Sequence, residues 1–333
     1  MFRKILLIIV GLIIVGGLAW FVDKNYFAKN ISSKQKNNEP ASALKLAQDN
    51  QDTSEKIIYV LNKDGVKEIE RANFKGEEAE KIYSDENEDL KIKKFGGYAY
   101  LPKEILVLIG QNDSFANKLA IIKSDGSRDI IVESFGNPNR LTIAPDGKII
   151  AYVFFSNVEA DYGYSLFTMS RDGSNKRQIK RQDSEIKGLA FNKDASKIAF
   201  LSANQDGKSE IHLINLDSTG EQTIYSTEQV ISSISWSESN NLVVSAYLRA
   251  KNNGEVAIVN NKGKVLTKVI TTKEGVPIFG NISADDQTIA FLEVKLKDGS
   301  IDESSGGQIL TVRSSGKNLN KVADGLLNIG WLP

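Results

Sequence analysis

One strand-and-turn unit recurs along most of this chain of 333 residues. Its clearest copy runs from Leu141 to Ile179 and reads LTIAPDGKIIAYVFFSNVEADYGYSLFTMSRDGSNKRQI. It contains a short apolar run, a Pro-Asp-Gly turn, a nearly continuous apolar run, a polar loop, a second strand-like run, an Asp-Gly-Ser turn and a half-polar end. β-branched and aromatic residues favour strands, and glycine-containing turns separate them. The unit therefore predicts a four-stranded antiparallel meander.

The spacing of the units predicts how the meanders assemble. The last large apolar residue before the first turn of each unit serves as a marker, and successive markers lie 43 to 49 residues apart. The markers are Tyr100, Ile143, Phe191, Trp236, Ile282 and Trp331. A period in the mid-forties with this punctuation is the signature of a propeller blade.

The two ends of the repeat region complete each other. Trp331 has no strands after it, whereas the strand-like run at 56–62 has no marker before it. The final strand is therefore expected to complete the first sheet, which closes the ring and removes its open edges. The predicted fold of residues 56–333 is all-β: a six-bladed β-propeller of four-stranded antiparallel blades, closed by its N- and C-terminal strands.

Three motifs resemble a known repeat. APDGKIIAYV, NKDASKIAFLS and SADDQTIAFLE, each followed later by a turn such as MSRDGSNKRQI, are similar to the TolB-type WD40-like propeller repeat. The resemblance covers about residues 56–333 and is specific for the repeat. It implies a six-bladed propeller that serves mainly as a binding platform. Because this repeat is used by many proteins, the resemblance implies no particular partner.

An apolar segment precedes the repeats. No charged residue interrupts 5–22, and a helix of this length would span roughly 27 Å, close to the hydrocarbon thickness of a bilayer. Residues 1–22 are therefore predicted to be a transmembrane helix that contacts the cytoplasmic membrane through residues 5–22. Arg3 and Lys4 favour an N-terminus inside the cell. A cleaved signal peptide is the alternative.

The segment 23–55 is rich in Lys, Asn, Gln and Ser. Its apolar content is too low to form a core, so it is predicted to be a flexible tether. Both interpretations of the N-terminal segment place the propeller outside the cytoplasm. The expected location is the cell membrane, with a single pass.

Composition excludes several kinds of chemistry. Lys and Arg number 42 and balance 42 Asp and Glu, so the chain lacks the charge excess of nucleic-acid-binding proteins and no nucleic-acid partner is predicted. There is no Cys, and His212 is the one His, which rules out thiolate sites and mechanisms that need two imidazoles. No nucleophile elbow or phosphate loop is found. No catalytic residue, cofactor or metal site is therefore predicted, and His212 is expected to be structural.

The loops suggest where a partner binds. If the strands of a blade are lettered A to D from the channel outwards, A–B and C–D turns lie on one face, here the turn face. The B–C and D–A loops lie on the other, here the long-loop face. The B–C loops are the longer and more variable ones, and loops on a rigid scaffold usually carry recognition. Tyr162 and Tyr164 are the predicted aromatic anchors, although they could simply cover the blade end. Phe154 and Phe155 are expected in the core.

Two acidic segments are weaker candidates. Asp298, Asp302 and Glu303, in the longest B–C loop, could bind a partner or a cation, but their spacing matches no calcium loop and favours a solvated loop. The run at 85–89 could hold calcium weakly, but such a run is usually solvated.

The functional hypothesis is a membrane-tethered, extracytoplasmic β-propeller that acts as a non-enzymatic platform. Its partner would be a protein or a cell-envelope glycan held on the long-loop face. Two alternatives stay open. One is a carboxylate-dependent hydrolase or lyase acting in the central channel, since two carboxylates need only meet in space. The other is a sensor that binds a ligand in the channel.

Overall fold

The computed structural model describes residues 55–99, 103–111, 117–273, 275–297, 300–301, 306–325 and 327–332. These residues form six four-stranded antiparallel sheets and one two-stranded ribbon. The inner strands of all six sheets line one central cavity. The predicted six-bladed β-propeller is thereby confirmed.

The strands of each blade run outwards from the channel in the order A to D. Blade 1 contains β26 (Leu327–Leu332), β1 (Lys56–Lys63), β2 (Val66–Ala72) and β3 (Glu80–Ser84). Blade 2 contains β4 (Lys91–Ala99), β5 (Glu104–Gly110), β6 (Asn117–Lys123) and β7 (Arg128–Phe135). Blade 3 contains β8 (Arg140–Ile143), β9 (Ile149–Ser156), β10 (Gly163–Ser170) and β11 (Arg177–Gln182). Blade 4 contains β12 (Gly188–Phe191), β13 (Lys197–Ala203), β14 (Ser209–Asn215) and β15 (Gln222–Thr227). Blade 5 contains β16 (Val230–Trp236), β17 (Asn241–Tyr247), β18 (Gly254–Asn260) and β19 (Val265–Thr271). Blade 6 contains β20 (Val276–Ile282), β21 (Thr288–Val294), β24 (Gly307–Arg313) and β25 (Asn320–Gly325). The ribbon of β22 (Leu296–Lys297) and β23 (Ser300–Ile301) lies between β21 and β24.

The first and last strands close the ring as the sequence predicts. β26 pairs antiparallel with β1, with Trp331 opposite Ile57 and Gly330 opposite Ile58. Trp331 is 3% exposed and packs in an apolar cluster with Ile57, Tyr59 and residues of blades 5 and 6. The C-terminal strand therefore completes the N-terminal sheet and joins it to its neighbours.

The core is divided among the interfaces between blades. Each of the five apolar clusters contains residues of adjacent blades. β5 is buried along its whole length, and β17 and β21 nearly so. These B strands have neighbours on both faces, which explains their continuous apolar sequences.

The predicted markers lie at the ends of the inner strands. Ile143, Phe191, Trp236 and Ile282 are the last residues of β8, β12, β16 and β20, and Trp331 is the penultimate residue of β26. Tyr100 lies outside the described residues. The repeat length read from the sequence is therefore the spacing of the A strands.

The predicted membrane helix at 1–22 lies outside the described residues, and so does the predicted tether apart from its last residue, Glu55. Glu55 is buried, and its carboxylate accepts hydrogen bonds from the backbone N–H groups of Ala284 (2.9 Å) and Asp285 (3.2 Å) in blade 6. Within the described part of the chain, no helix is long and apolar enough to cross a membrane.

The closure predicts a large energetic role for Trp331. Trp331→Ala should lower the free energy of unfolding by about 3–5 kcal/mol, because it leaves a cavity where blades 1 and 6 meet. Leu319→Ala removes a side chain that is 52% exposed and should change it little. Denaturant titration of both variants measures the difference, and equal effects would contradict this role of Trp331.

Candidate functional site

A central channel of about 570 Å³ runs through the ring. Each A strand pairs with its B strand on one side, and its other edge borders the channel. The wall is therefore made of backbone edges and of the side chains that the A strands present. A cavity of this size falls in the range of small-molecule sites.

Side chains link neighbouring A strands around the channel. The Lys94 ammonium donates to the carbonyl oxygen of Pro138, and the Arg140 guanidinium donates to that of Lys187. Ser232 Oγ donates to the carbonyl oxygen of Pro277 at 2.7 Å. Each of these bonds joins one blade to the next, so the channel wall is cross-linked from blade to blade.

Basic side chains surround the channel where it opens on the long-loop face. An A strand begins at this face, and so does the C strand β2 of blade 1. Five basic residues line the channel near these strand starts and are here named the basic mouth: Lys67, Lys93, Lys94, Arg140 and Lys187.

Glu238 is the one acidic lining residue among those that the structure describes. It follows the end of β16, at the turn face, and forms an ion pair with Lys193. The channel is therefore basic at the long-loop face, and its single acidic lining residue is at the turn face.

The basic mouth was missed in the sequence because the overall charge is balanced. A signal was nevertheless present in the repeat. Arg140 lies three residues before the marker Ile143, and Lys187 lies four before Phe191. Aligning the repeats on their markers shows basic residues recurring at the start of neighbouring A strands.

The two predicted tyrosines belong to one aromatic cluster. Tyr162 is 52% exposed, and its ring meets that of Phe155 edge to face with centroids 5.5 Å apart. Tyr164, which is half-buried, also packs against Phe155, with ring centroids 4.8 Å apart. Together with Val158, which is 61% exposed in the same loop, these residues are here named the aromatic patch.

The expectation that Phe155 is a core residue is wrong. It is the penultimate residue of β9, where the strand leaves the blade at the long-loop face, and it is 40% exposed. Phe154 is half-buried and packs against Tyr152 and Phe135 with ring centroids 5.5 and 5.9 Å away. The two neighbours point to opposite sides of the strand, as the pleat requires.

Arg181 holds the loop that carries the patch. Its guanidinium pairs with the Asp161 carboxylate and also donates to the carbonyl oxygen of Tyr162 at 2.8 Å. Asp161 ends a short 3₁₀ turn, Glu159–Asp161. The backbone of Tyr162 is thus fixed to strand β11, which orders an exposed aromatic side chain before a partner arrives.

The aromatic patch lies close to the basic mouth. Burial raises the pKa of the Tyr164 phenol; the negative charge of Glu185 raises it further, and the positive charge of Arg140 opposes the rise. Glu185 also lies 3.9 Å from the Arg140 guanidinium. Tyr164 therefore connects the exposed patch to the charged rim of the channel.

Asp298, Asp302 and Glu303 lie outside the described residues. The adjoining Leu296 donates its backbone N–H to Asn252 Oδ1 at 3.1 Å, which ties the base of this loop to the B–C loop of blade 5. Among the described residues, no group of three acidic or His side chains is placed to hold a metal ion.

Asp85 is not part of a solvated charge run, so that interpretation of 85–89 is wrong for this residue. Asp85 is fully buried, and its carboxylate accepts the backbone N–H groups of Lys67 (2.8 Å) and Ile92 (3.0 Å). It thereby links a strand of blade 1 to the first strand of blade 2.

The position of Asp85 predicts a stability effect. Asp85→Ala should cost about 2–3 kcal/mol, because two backbone donors lose their acceptor. The matched change Asp125→Ala removes an exposed carboxylate that accepts from the nearby Ser127, and it should cost much less. Chemical denaturation distinguishes them, and a neutral Asp85→Ala would show that water replaces the carboxylate.

His212 is held within blade 4, as expected of a structural residue. Its Nε2 lies 2.8 Å from Ser202 Oγ and its Nδ1 lies 3.0 Å from Thr223 Oγ1. The ring stacks on Phe200, with centroids 4.8 Å apart. Burial lowers the pKa of His212, which favours the neutral imidazole.

Two buried carboxylates support the turn face. Asp286 accepts the backbone N–H groups of Glu238 (3.1 Å) and Ser239 (2.9 Å), and Glu55 supports the next turn in the same way. Burial raises the pKa of both carboxyls, and the nearby charge of Glu238 raises both further. These contacts join blade 5 to blade 6 and blade 6 to blade 1 at the turn face.

The raised pKa of Glu55 predicts a pH dependence. The folded chain binds the Glu55 proton more tightly than the unfolded chain does. Ionisation of Glu55 therefore lowers the free energy of unfolding at pH values above the folded-state pKa. This loss disappears as the pH falls towards the unfolded-state pKa. As the pH is lowered from 7 to 4.5, the free energy of unfolding of the wild type should therefore rise relative to that of Glu55→Gln. A pH-independent difference between the two unfolding curves would contradict this.

Comparison with solved structures shows the same architecture elsewhere. TolB from Acinetobacter baumannii matches with a TM-score of 0.59 at 17% identity, covering 85% of this chain and 68% of that one. A putative TolB from Agrobacterium tumefaciens matches with a TM-score of 0.57 at 13% identity, covering 83% and 91%. The fold is that of a TolB-type β-propeller.

An enzyme is also among the solved structures that resemble this chain. An oligogalacturonate lyase in complex with manganese matches with a TM-score of 0.51 at 10% identity, covering 78% of this chain and 71% of that one. No protein-family model and no curated protein sequence matches the chain. At these identities the comparisons establish the fold alone.

Proposed function

We propose that this chain is a membrane-tethered, extracytoplasmic and non-enzymatic platform that holds a protein or a cell-envelope glycan on its long-loop face. The observation that carries the proposal is the aromatic patch. Phe155, Val158 and Tyr162 are three of the seven large apolar side chains exposed among the described residues, and all three lie at the end of β9 or in the loop that follows it. Exposed apolar side chains that cluster in this way mark interaction sites.

The chemistry of the patch suits recognition. Tyrosine offers a large rigid surface and one polar group, and buried aromatic residues dominate binding energies at interfaces. The ion pair of Arg181 fixes the loop in advance, so less conformational entropy is lost on binding. The TolB-type fold supports a protein partner in general, and the aromatic patch beside basic residues also suits a glycan.

The membrane tether is part of the same proposal. It depends on the uncharged segment 5–22 and on the polar segment that follows it. In this arrangement the membrane holds the propeller near the cell envelope, and the long-loop face meets the partner.

Removing one aromatic side chain tests the platform. Tyr162→Ala should weaken partner capture by about 30-fold, the loss expected for a central aromatic residue of an interface. The affinity-tagged full-length chain would be recovered from native membranes, and its co-purifying proteins and glycans quantified by mass spectrometry. Leu319→Ala is the matched control, because Leu319 is also 52% exposed but lies in the C–D turn of blade 6.

A second variant separates the position of the patch from its chemistry. Arg181→Ala keeps every aromatic side chain but releases the Asp161 carboxylate and the Tyr162 carbonyl. It should reduce capture less than Tyr162→Ala and leave thermal stability almost unchanged. Capture that survives both variants would move the binding site away from the patch.

A catalytic alternative is favoured by one observation. Three carboxylates lie at the turn face. Glu238 lines the channel there, whereas Glu55 and Asp286 are buried in the turns, where burial raises their pKa values, and raised pKa values often mark functional sites. However, Glu55 and Asp286 accept backbone N–H groups, which is a structural task. Cleavage of a polyuronate by the wild type, lost in Glu238→Gln, would establish the alternative in place of the platform.

A further inference from the structure

The channel offers more hydrogen-bond donors and positive charge than its own residues use. Lys67 and Lys187, on blades 1 and 4, form no ion pair within the described residues, although both line the cavity. Arg140, between them on blade 3, has a carboxylate no nearer than Glu185 at 3.9 Å. The mouth therefore presents positive charge across an opening, where an anion would be attracted and partly desolvated.

Two buried polar atoms deeper in the channel point the same way. Trp331 Nε1 and Ser235 Oγ are buried and have no hydrogen-bond partner among the described residues, and both residues line the cavity. The indole N–H is a donor only, and buried donors normally have an acceptor. The channel wall therefore also contains polar atoms that its own described residues leave without a partner.

The arrangement of the charges selects the kind of anion. The basic residues are distributed over four blades, so several separated negative charges fit better than a single phosphate group. The wall between them carries hydroxyl and amide groups, including Thr142, Ser233 and Asn139. Such groups can bond to hydroxyls as donors or acceptors.

We propose that the central channel binds an acidic oligosaccharide of the uronate class, which enters from the long-loop face. Its carboxylates lie at the basic mouth beside Lys67, Arg140 and Lys187. Its hydroxyl groups lie along the wall beside Thr142, Ser233 and Asn139. This proposal rests on the proposed function, because it takes the partner to be a glycan. It adds a binding site in the channel that is separate from the aromatic patch.

The test is isothermal titration calorimetry of the purified full-length chain with trigalacturonate, and with maltotriose as the neutral probe of similar size. Trigalacturonate should bind, and its affinity should fall as salt is added, because the contacts are ionic. Maltotriose should bind at least about tenfold more weakly, since it lacks the charge-assisted hydrogen bonds. Citrate serves as a compact carboxylate, and it should bind more weakly than trigalacturonate.

The variants Lys67→Gln and Lys187→Gln should each weaken trigalacturonate binding about tenfold. Their ammonium groups form no ion pair within the described residues, so both variants should fold and melt like the wild type. Lys251→Gln is the matched control, because Lys251 is exposed in the B–C loop of blade 5 and does not line the channel. It should leave the affinity unchanged.

The proposal is overturned if trigalacturonate gives no heat at millimolar concentration, if maltotriose binds equally well, or if neither Lys variant alters the affinity. Tighter binding of citrate than of trigalacturonate would also overturn the saccharide class. If saccharide binding fails while capture still depends on Tyr162, this proposal is wrong and the platform stands. If capture fails while trigalacturonate binds, the reverse holds.

Discussion

The pairing of the last strand with the first is the constraint on which the rest of the structure depends. A row of antiparallel blades exposes an unpaired apolar face at each end, and no single blade can cover its own B strand on both sides. The pairing of β26 with β1 provides the missing inner strand of blade 1 and places Trp331 against blade 6. Every blade then has two neighbours, and the B strands are buried over half or more of their length.

Closure also determines the chemistry of the channel. Six A strands are held with their starts on one face, so basic residues from different blades come together there, although Arg140 is 46 residues from Lys94 and 47 from Lys187 in the chain. The carbonyl groups that accept from Lys94 and Arg140 belong to the next blade, so the same side chains fasten the ring and charge its opening. Buried carboxylates perform the fastening at the turn face.

Most of the fold could be predicted from the sequence because the repeated pattern shows where each blade begins and ends. The markers from Ile143 to Trp331 give the A strands directly, and the incomplete first and last units give the closure. The individual contacts of Asp85 could not be predicted. Its burial depends on how the loop between blades 1 and 2 returns to Lys67 and Ile92, and a run of charges contains no sign of that.

The candidate site was predicted in part. Tyr162 and Tyr164 stand out because aromatic residues are unusual in a polar loop, whereas Phe155 reads as one more apolar residue of a strand. Its exposure depends on where β9 leaves the blade, which the sequence does not mark to within one residue. The basic mouth escapes a count of charges, since Lys93 and Arg140 are brought to one opening only when consecutive blades pack side by side around the channel.

The most direct test of closure is a disulfide between the two paired strands. The chain has no cysteine, so the double variant Lys56→Cys with Leu332→Cys contains a single possible pair, and these residues lie directly opposite each other. Paired residues in an antiparallel sheet are about 4.5–5.5 Å apart, within the range of a disulfide. Mild oxidation should give a complete intramolecular bond, detected by mass spectrometry and a gel shift.

Lys63→Cys with Leu332→Cys is the control, because Lys63 lies at the other end of β1, roughly 20 Å away. Free thiols in the folded Lys56 and Leu332 variant, or equal cross-linking in the control, would contradict the closed ring.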